Sequence, residues 1–178
     1  MRRLLVSLFV VAPLFALTSC LNVVDIAQPS EVRAGSEFEV GLAVRADAYV
    51  PNRVPASGFG VLAVSLPEGS AVAEAGFRGA ARGKLWWWEN VDGGSLGERP
   101  GYVWIFFGTG KAYDWPALAG QVFDVKLRIK ANTTPGDYRL GYVAGVVPAA
   151  PEGGPDLERL EWGRAGAEGF AARWVTFK

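Results

Sequence analysis

Histidine is missing from all 178 residues. That excludes the Ser/His/Asp triad, the imidazole zinc ligand and the one side chain whose ordinary pKa lies near neutrality. Only one cysteine is present, Cys20, so no disulfide forms within the chain. Charge of one sign is not in excess: 18 basic side chains stand against 18 acidic ones, and no basic field exists to draw in nucleic acid. Long apolar runs are scarce, and the stretch at residues 4–16 is too short to span a bilayer as a stable helix. EF-hand spacing is absent. Gly108-Thr109-Gly110-Lys111 has the lysine of a phosphate loop without its Gly-x-x-x-x-Gly-Lys spacing, and reads as a turn. No metal and no cofactor is expected.

What is present begins with Arg2 and Arg3, a positive segment ahead of the apolar run, which together form the pattern of an export signal. Leu17-Thr18-Ser19-Cys20 follows. These four residues resemble the lipobox of bacterial lipoprotein signal peptides. The resemblance implies cleavage between Ser19 and Cys20, a diacylglycerol thioether on the Cys20 thiol, and acylation of the new amino group. The alternative is an ordinary secretory signal in which Cys20 is an incidental thiol. On the lipobox reading, residues 1–19 are a leader, residues 20–22 are the lipidated cysteine with a short tether, and residues 23–178 are one domain. Two or three acyl chains anchor durably, since each buried methylene contributes about 0.8 kcal/mol. The expected location is the cell membrane or outer membrane, facing the periplasm or the exterior, with the lipid bilayer as partner through acylated Cys20. Removing the leader leaves 159 residues (178 less 19), a length that suits one domain with a substantial core.

Within that domain the hydrophobic pattern has period two. Residues 37–46 place Phe38, Val40, Leu42 and Val44 on one face against Glu37, Glu39 and Arg45. Residues 121–131 repeat the pattern, with Phe123, Val125, Leu127 and Ile129 opposite Asp124, Lys126, Arg128 and Lys130. Residues 59–66 form a continuous apolar strand, and residues 102–107 are apolar or aromatic at every position, which predicts a strand covered on both faces. Further strands are expected at 23–27, 70–77, 84–91, 138–147 and 173–177, with loops at 49–57 and 108–120. Residues 148–171 are rich in Gly, Pro and Glu and show no sustained period, although 157–162 can form a helical turn. Eight or nine short strands with almost no helix predict an all-β antiparallel sandwich. Two segments sharpen this, Ala34-Gly35-Ser36-Glu37-Phe38-Glu39-Val40 and Thr134-Pro135-Gly136-Asp137-Tyr138-Arg139-Leu140. They resemble strand starts of bacterial immunoglobulin-like and cohesin-like extracellular domains, which implies an immunoglobulin-like sandwich and no particular activity.

The most unusual feature is Trp86-Trp87-Trp88. Strand alternation places Trp87 in the core and aims Trp86 and Trp88 outward, about 7 Å apart, where two indoles can stack on sugar rings or meet a protein. Tyr113 and Trp115, in the 108–120 loop, are further candidates for ligand or partner contact. The alternative is that residues 148–171 fold over the outward indoles and over Tyr102, Trp104 and Phe106. Acidic residues scatter through the loops without the facing pair that a glycosidase needs. The Asn132-Thr133-Thr134 sequon carries little weight after a bacterial lipobox. Three readings follow: a non-catalytic interaction or structural module of the cell envelope, whose partner is a membrane-associated protein or an envelope polysaccharide; a carbohydrate-binding module with a Trp platform; or a His-independent carboxylate hydrolase. The first is preferred because no catalytic set is visible.

Overall fold

The computed structural model describes residues 21–47, 57–92, 100–156 and 171–178. Thirteen strands and one short helix are found among them: β1 Leu21–Ala27, β2 Glu31–Val32, β3 Glu37–Ala46, β4 Ser57–Pro67, β5 Ala71–Gly79, β6 Gly83–Asp92, β7 Tyr102–Thr109, β8 Tyr113–Asp114, α1 Trp115–Leu118, β9 Val122–Lys130, β10 Gly136–Val147, β11 Ala149–Ala150, β12 Gly154–Pro155 and β13 Ala171–Phe177. The long strands fall where the period-two pattern places them. Leu21 and Asn22, read above as a tether, are instead the first residues of β1, and Leu21 is buried. The 157–162 turn and most of the 49–57 loop lie outside the described residues.

The architecture is an all-β sandwich made by one sheet curling on itself, in the order β1-β3-β9-β5-β6-β7-β4-β10-β13-β2. Every neighbour along this path is antiparallel except β13 and β2. β6 makes the fold: it meets β5 only through Gly76↔Lys84 and Phe77↔Gly83, then pairs with β7 from Leu85↔Thr109 to Asp92↔Val103. One strand thereby belongs to both halves.

The first half shows why alternation forces the sandwich. β3 and β9 pair over their full length, and each buries every second residue: Phe38, Val40, Leu42 and Val44 pack with Phe123, Val125, Leu127 and Ile129. A one-residue slip would turn both apolar rows to water. Their outer face carries Arg128 beside Glu37 (3.6 Å) and Glu74 (3.2 Å), and Arg78 beside Asp124 (3.5 Å). These exposed pairs each contribute only about 0.2–1 kcal/mol, so packing decides the register.

In the second half, Leu62, Val64 and Leu66 of β4, with Ile105 and Phe107 of β7, face the main core. Val61, Ala63, Trp104, Phe106 and Val147 point the other way, and are buried in a second cluster ringed by Phe59, Trp88 and Val143. Both faces of β4 and β7 are therefore covered, as the unbroken apolar run of β7 predicts. Part of the 148–171 stretch is a small hairpin, β11 with β12, lying beside β4. Residues 157–170 lie outside the described residues.

Turns at the two ends fix the frame. At the end away from Leu21, Asn132 is buried, and its backbone and side-chain amide tie three turns together. Its Nδ2 donates to the Glu68 carbonyl (3.1 Å), its carbonyl accepts from Gly35 N, and its N–H donates to Ser70 Oγ (3.0 Å). The sequon asparagine is thus a structural pin. Gly35 and Gly69 hold φ of 75° and 80° in these turns, a region that β-carbons disfavour.

At the Leu21 end, β8 and α1 close the gap between the two halves. Asp114 caps α1, its Oδ1 accepting from Ala117 N (3.4 Å), and Pro116 suits the first turn. Beneath this cap lies an apolar void of about 50 Å³, lined by Leu21, Leu62, Leu85, Trp115 and Ala144 among others. It is partly open to the surface. Replacing Ala144 by Val should fill part of it and raise stability by about 0.5–1 kcal/mol. Thermal unfolding checks this, and a lowered Tm would show that the void collapses around Ala144 in solution.

Candidate functional site

The site is built where β6 runs beside β7. Trp86 pairs with Gly108, and two residues further along the pairing a bulge sets in between Trp87 and Glu89, so that Trp88 is the extra residue. Glycine recurs on β7 and just past it, at Gly108 and Gly110. A β-carbon on Gly108 would lie 1.5 Å from Cζ2 of Trp88, and one on Gly110 would lie 2.8 Å from Nε1 of Trp86. The two indoles therefore lie directly on bare backbone. Trp86 remains 58% exposed, whereas Trp88 is half-buried and meets Phe59 edge-on, with centroids 6.3 Å apart and planes at 74°. Together they make a low aromatic shelf on the outer face of the second half-sheet.

Trp87 corrects the alternation argument. It was expected in the core, yet it is 61% exposed, with its Nε1 donating to Asn90 Oδ1 at 2.9 Å. β6 leaves β5 after Lys84, and among the described residues β5 has no further pairing with the part of β6 that bears Trp87. Trp86 is exposed while Trp104 and Phe106 beside it are buried; most of the 148–171 segment, expected to fold over them, lies outside the described residues.

Tyr113 and Trp115 belong elsewhere. Trp115 is only 5% exposed and donates from Nε1 to the Gly58 carbonyl (3.0 Å), with Gly60 making room for its ring. It is a buried residue of the core and lines the void beneath α1. Tyr113 is half-buried between Phe77 and Trp115, at centroid distances of 6.1 and 5.9 Å, and burial raises its hydroxyl pKa. Lys111 Nζ lies 5.2 Å from the Tyr113 ring centroid. The structure thus keeps two of the four candidates, Trp86 and Trp88, together, and assigns the other two to closing the sandwich. Cys20 lies outside the described residues.

The Gly108–Lys111 turn holds no phosphate loop. The Thr109 hydroxyl accepts from Gly60 N (3.0 Å) and donates to the Lys111 carbonyl (2.8 Å), so its hydrogen bonds are already made. Among the described residues no group of three or more Asp, Glu, Cys or His side chains converges as a metal site would require.

No family model and no curated protein matches the chain. Among solved structures it is similar to AvmM, which catalyzes macrocyclization in alchivemycin A biosynthesis. That likeness has a TM-score of 0.47 and 12% identity, over 90% of this chain and 88% of the other. It is also similar to the cohesin module of a Clostridium perfringens family 33 glycoside hydrolase, with a TM-score of 0.41 and 17% identity, over 90% and 98% of the two chains. Function therefore has to be argued from the shelf itself.

The sequence carried one signal for the shelf that pattern reading passed over. A Trp-x-Trp on one strand faces a Gly-x-Gly beginning on the next, and the glycines are what let the indoles approach the backbone.

Proposed function

We propose that this chain is a lipid-anchored, non-catalytic binding module of a bacterial cell envelope. The observation that carries the binding role is the shelf, because an indole 58% exposed yet seated on a rigid backbone floor is preorganised for contact. Support for the anchor comes from the lipobox residues Leu17 to Cys20, with β1 starting at the very next position. So short a link leaves the sandwich standing within about one nanometre of the headgroups, at roughly 3.6 Å per extended residue. Cys20→Ser should release the protein from the membrane fraction or leave its leader uncut, and intact-mass measurement of the wild type should show the acyl groups. A wild type soluble without detergent would refute the anchor.

A second reading, carbohydrate recognition, is favoured by one specific feature. Trp86 and Trp88 lie over Gly110 and Gly108 with no side chain between them and the strand, and the exposed Trp86 offers an indole that can stack on the apolar face of a sugar ring. In the protein-partner reading the same shelf is the anchor patch of an interface.

A further inference from the structure

We infer that the end of the sandwich bearing Leu21 is a bilayer-contact surface, with the cap of β8 and α1 lying on phospholipid headgroups and the Trp86 indole entering the interfacial layer. This rests on the lipid anchor proposed above and names the partner of the open indole. Pairing and packing bring three features to one height of the fold. Leu21, the residue after Cys20, pairs with Ala46, and Ala46 is bonded to the turn that leaves α1: its N–H donates to the Gln121 carbonyl (2.9 Å) and its carbonyl accepts from Gly120 N (2.7 Å). Arg45, the next residue of β3, pairs with Val122, which is 46% exposed. Leu85, the residue before Trp86, lines the same void as Leu21. The start of β1, the cap and the open indole therefore stand together.

The chemistry of this end suits lipid. From Trp115 to Phe123 the chain carries no charged residue, and Pro116, Ala117, Ala119 and Val122 are exposed there. Charges around the cap are engaged locally: Arg45 meets Asp47 at 2.8 Å, Asp114 accepts from Ala117 N, and Lys111 Nζ lies over the Tyr113 ring. At the opposite end the turns instead expose Glu31, Arg33, Glu68 and Lys178. An acylated residue joined directly to Leu21 holds the uncharged end against the headgroups, so lipid is the first surface that it meets. Trp86 fits that layer, because an indole places its apolar ring at the acyl boundary while its N–H stays with water and headgroups. The layer is about 5–8 Å deep in each leaflet, comparable with one indole.

Tryptophan quenching tests this, using the protein as the cell exports it, reconstituted into phosphatidylethanolamine and phosphatidylglycerol vesicles that carry bromine either shallow or deep in the acyl chains. Shallow bromines should quench the wild type more than deep ones. Trp86→Phe should remove a large part of that quenching, whereas Trp174→Phe, at an equally open indole in the middle of β13, should leave it in place. Val122→Asp sets a carboxylate on the cap and should cut the shallow quenching by about half. Both Trp86 and Val122 are exposed, so neither variant strains the core. Quenching of the acylated protein that is untouched by Trp86→Phe and Val122→Asp would overturn the contact while the anchor stands. A wild type shown by intact mass to carry no acyl group would overturn both. Trp86 left open to acrylamide on vesicles, and protected instead by a glycan or a protein, would assign the indole to that partner and also overturn the proposal.

Discussion

Gly108→Ala is expected to unseat Trp88 and lower stability by about 2–4 kcal/mol, a drop of roughly 5–10 °C in Tm for a chain of this size. The added methyl would sit 1.5 Å from a ring carbon of Trp88, well inside any permitted contact, and the indole is already held from the side by Phe59. Something must leave, and an indole on a bulged strand is freer to move than the backbone of β7 between two neighbours. Its departure would open the cluster of Val61, Ala63, Trp104 and Phe106 to water. Gly110→Ala is the control. There the methyl meets only Nε1 and Cδ1 of the exposed Trp86, so a small rotation relieves it at a cost below about 1 kcal/mol. Tryptophan emission should shift to the red in the first variant and scarcely in the second. Equal Tm values for Gly108→Ala and wild type would show that the indole does not rest on that glycine.

Tyr142→Ala should be the most damaging single change, at about 3–5 kcal/mol, because the ring is fully buried in the main core. The hydroxyl reaches Gln28 Oε1 at 2.8 Å, linking β10 to the segment between β1 and β2. Tyr142→Phe removes only that bond, at a cost near 1 kcal/mol. The same tyrosine governs the alkaline limit of the fold. Burial disfavours the phenolate, and the folded pKa is raised well above the ordinary 10.0. As pH climbs past 10, the unfolded chain gives up this proton while the folded chain keeps it. Stability therefore falls with pH, by about 1.4 kcal/mol per unit, until the folded group also ionises. Below pH 10 both states hold the proton and the contribution is flat. Urea unfolding of wild type and Tyr142→Phe at rising pH separates this group from the other tyrosines: the phenylalanine variant should lose stability less steeply. Parallel curves would mean that Tyr142 ionises without unfolding.

Strand content was legible because residues such as Phe38 to Val44 and Phe123 to Ile129 obey a period that only a half-buried strand satisfies. Double coverage of β7 was legible for the complementary reason, the lack of any polar gap from Tyr102 to Phe107. β2, β8, β11 and β12 were not, since two residues contain no period to read and their pairing is set by the chains they meet. The same limit hid α1 within a segment that reads as a loop. At the site, alternation set Trp86 correctly outward but misplaced Trp87, because alternation assumes that a strand keeps its neighbours. β6 exchanges one neighbour for another beyond Lys84, and neither that exchange nor the bulge leaves a mark in the residue types. The glycine floor was in plain view, yet acquires meaning only once Trp86 is known to lie opposite Gly108.

The parallel pair between β2 and β13 bears on when this chain can fold. Thr176 pairs with Glu31 and Phe177 with Val32, contacts between residues 145 positions apart (176 less 31), and the backbone bonds Ala34 N to Lys178 O and Lys178 N to Val32 O lock the same seam. A contact of that span cannot form until β13 has been made and delivered. Antiparallel neighbours can associate earlier, but the curled sheet stays unclosed, and Phe38 lacks the Phe177 ring that stands 6.1 Å away. On the export proposed above, such a late closing step would keep the incomplete sandwich from setting before the whole of it has crossed the membrane.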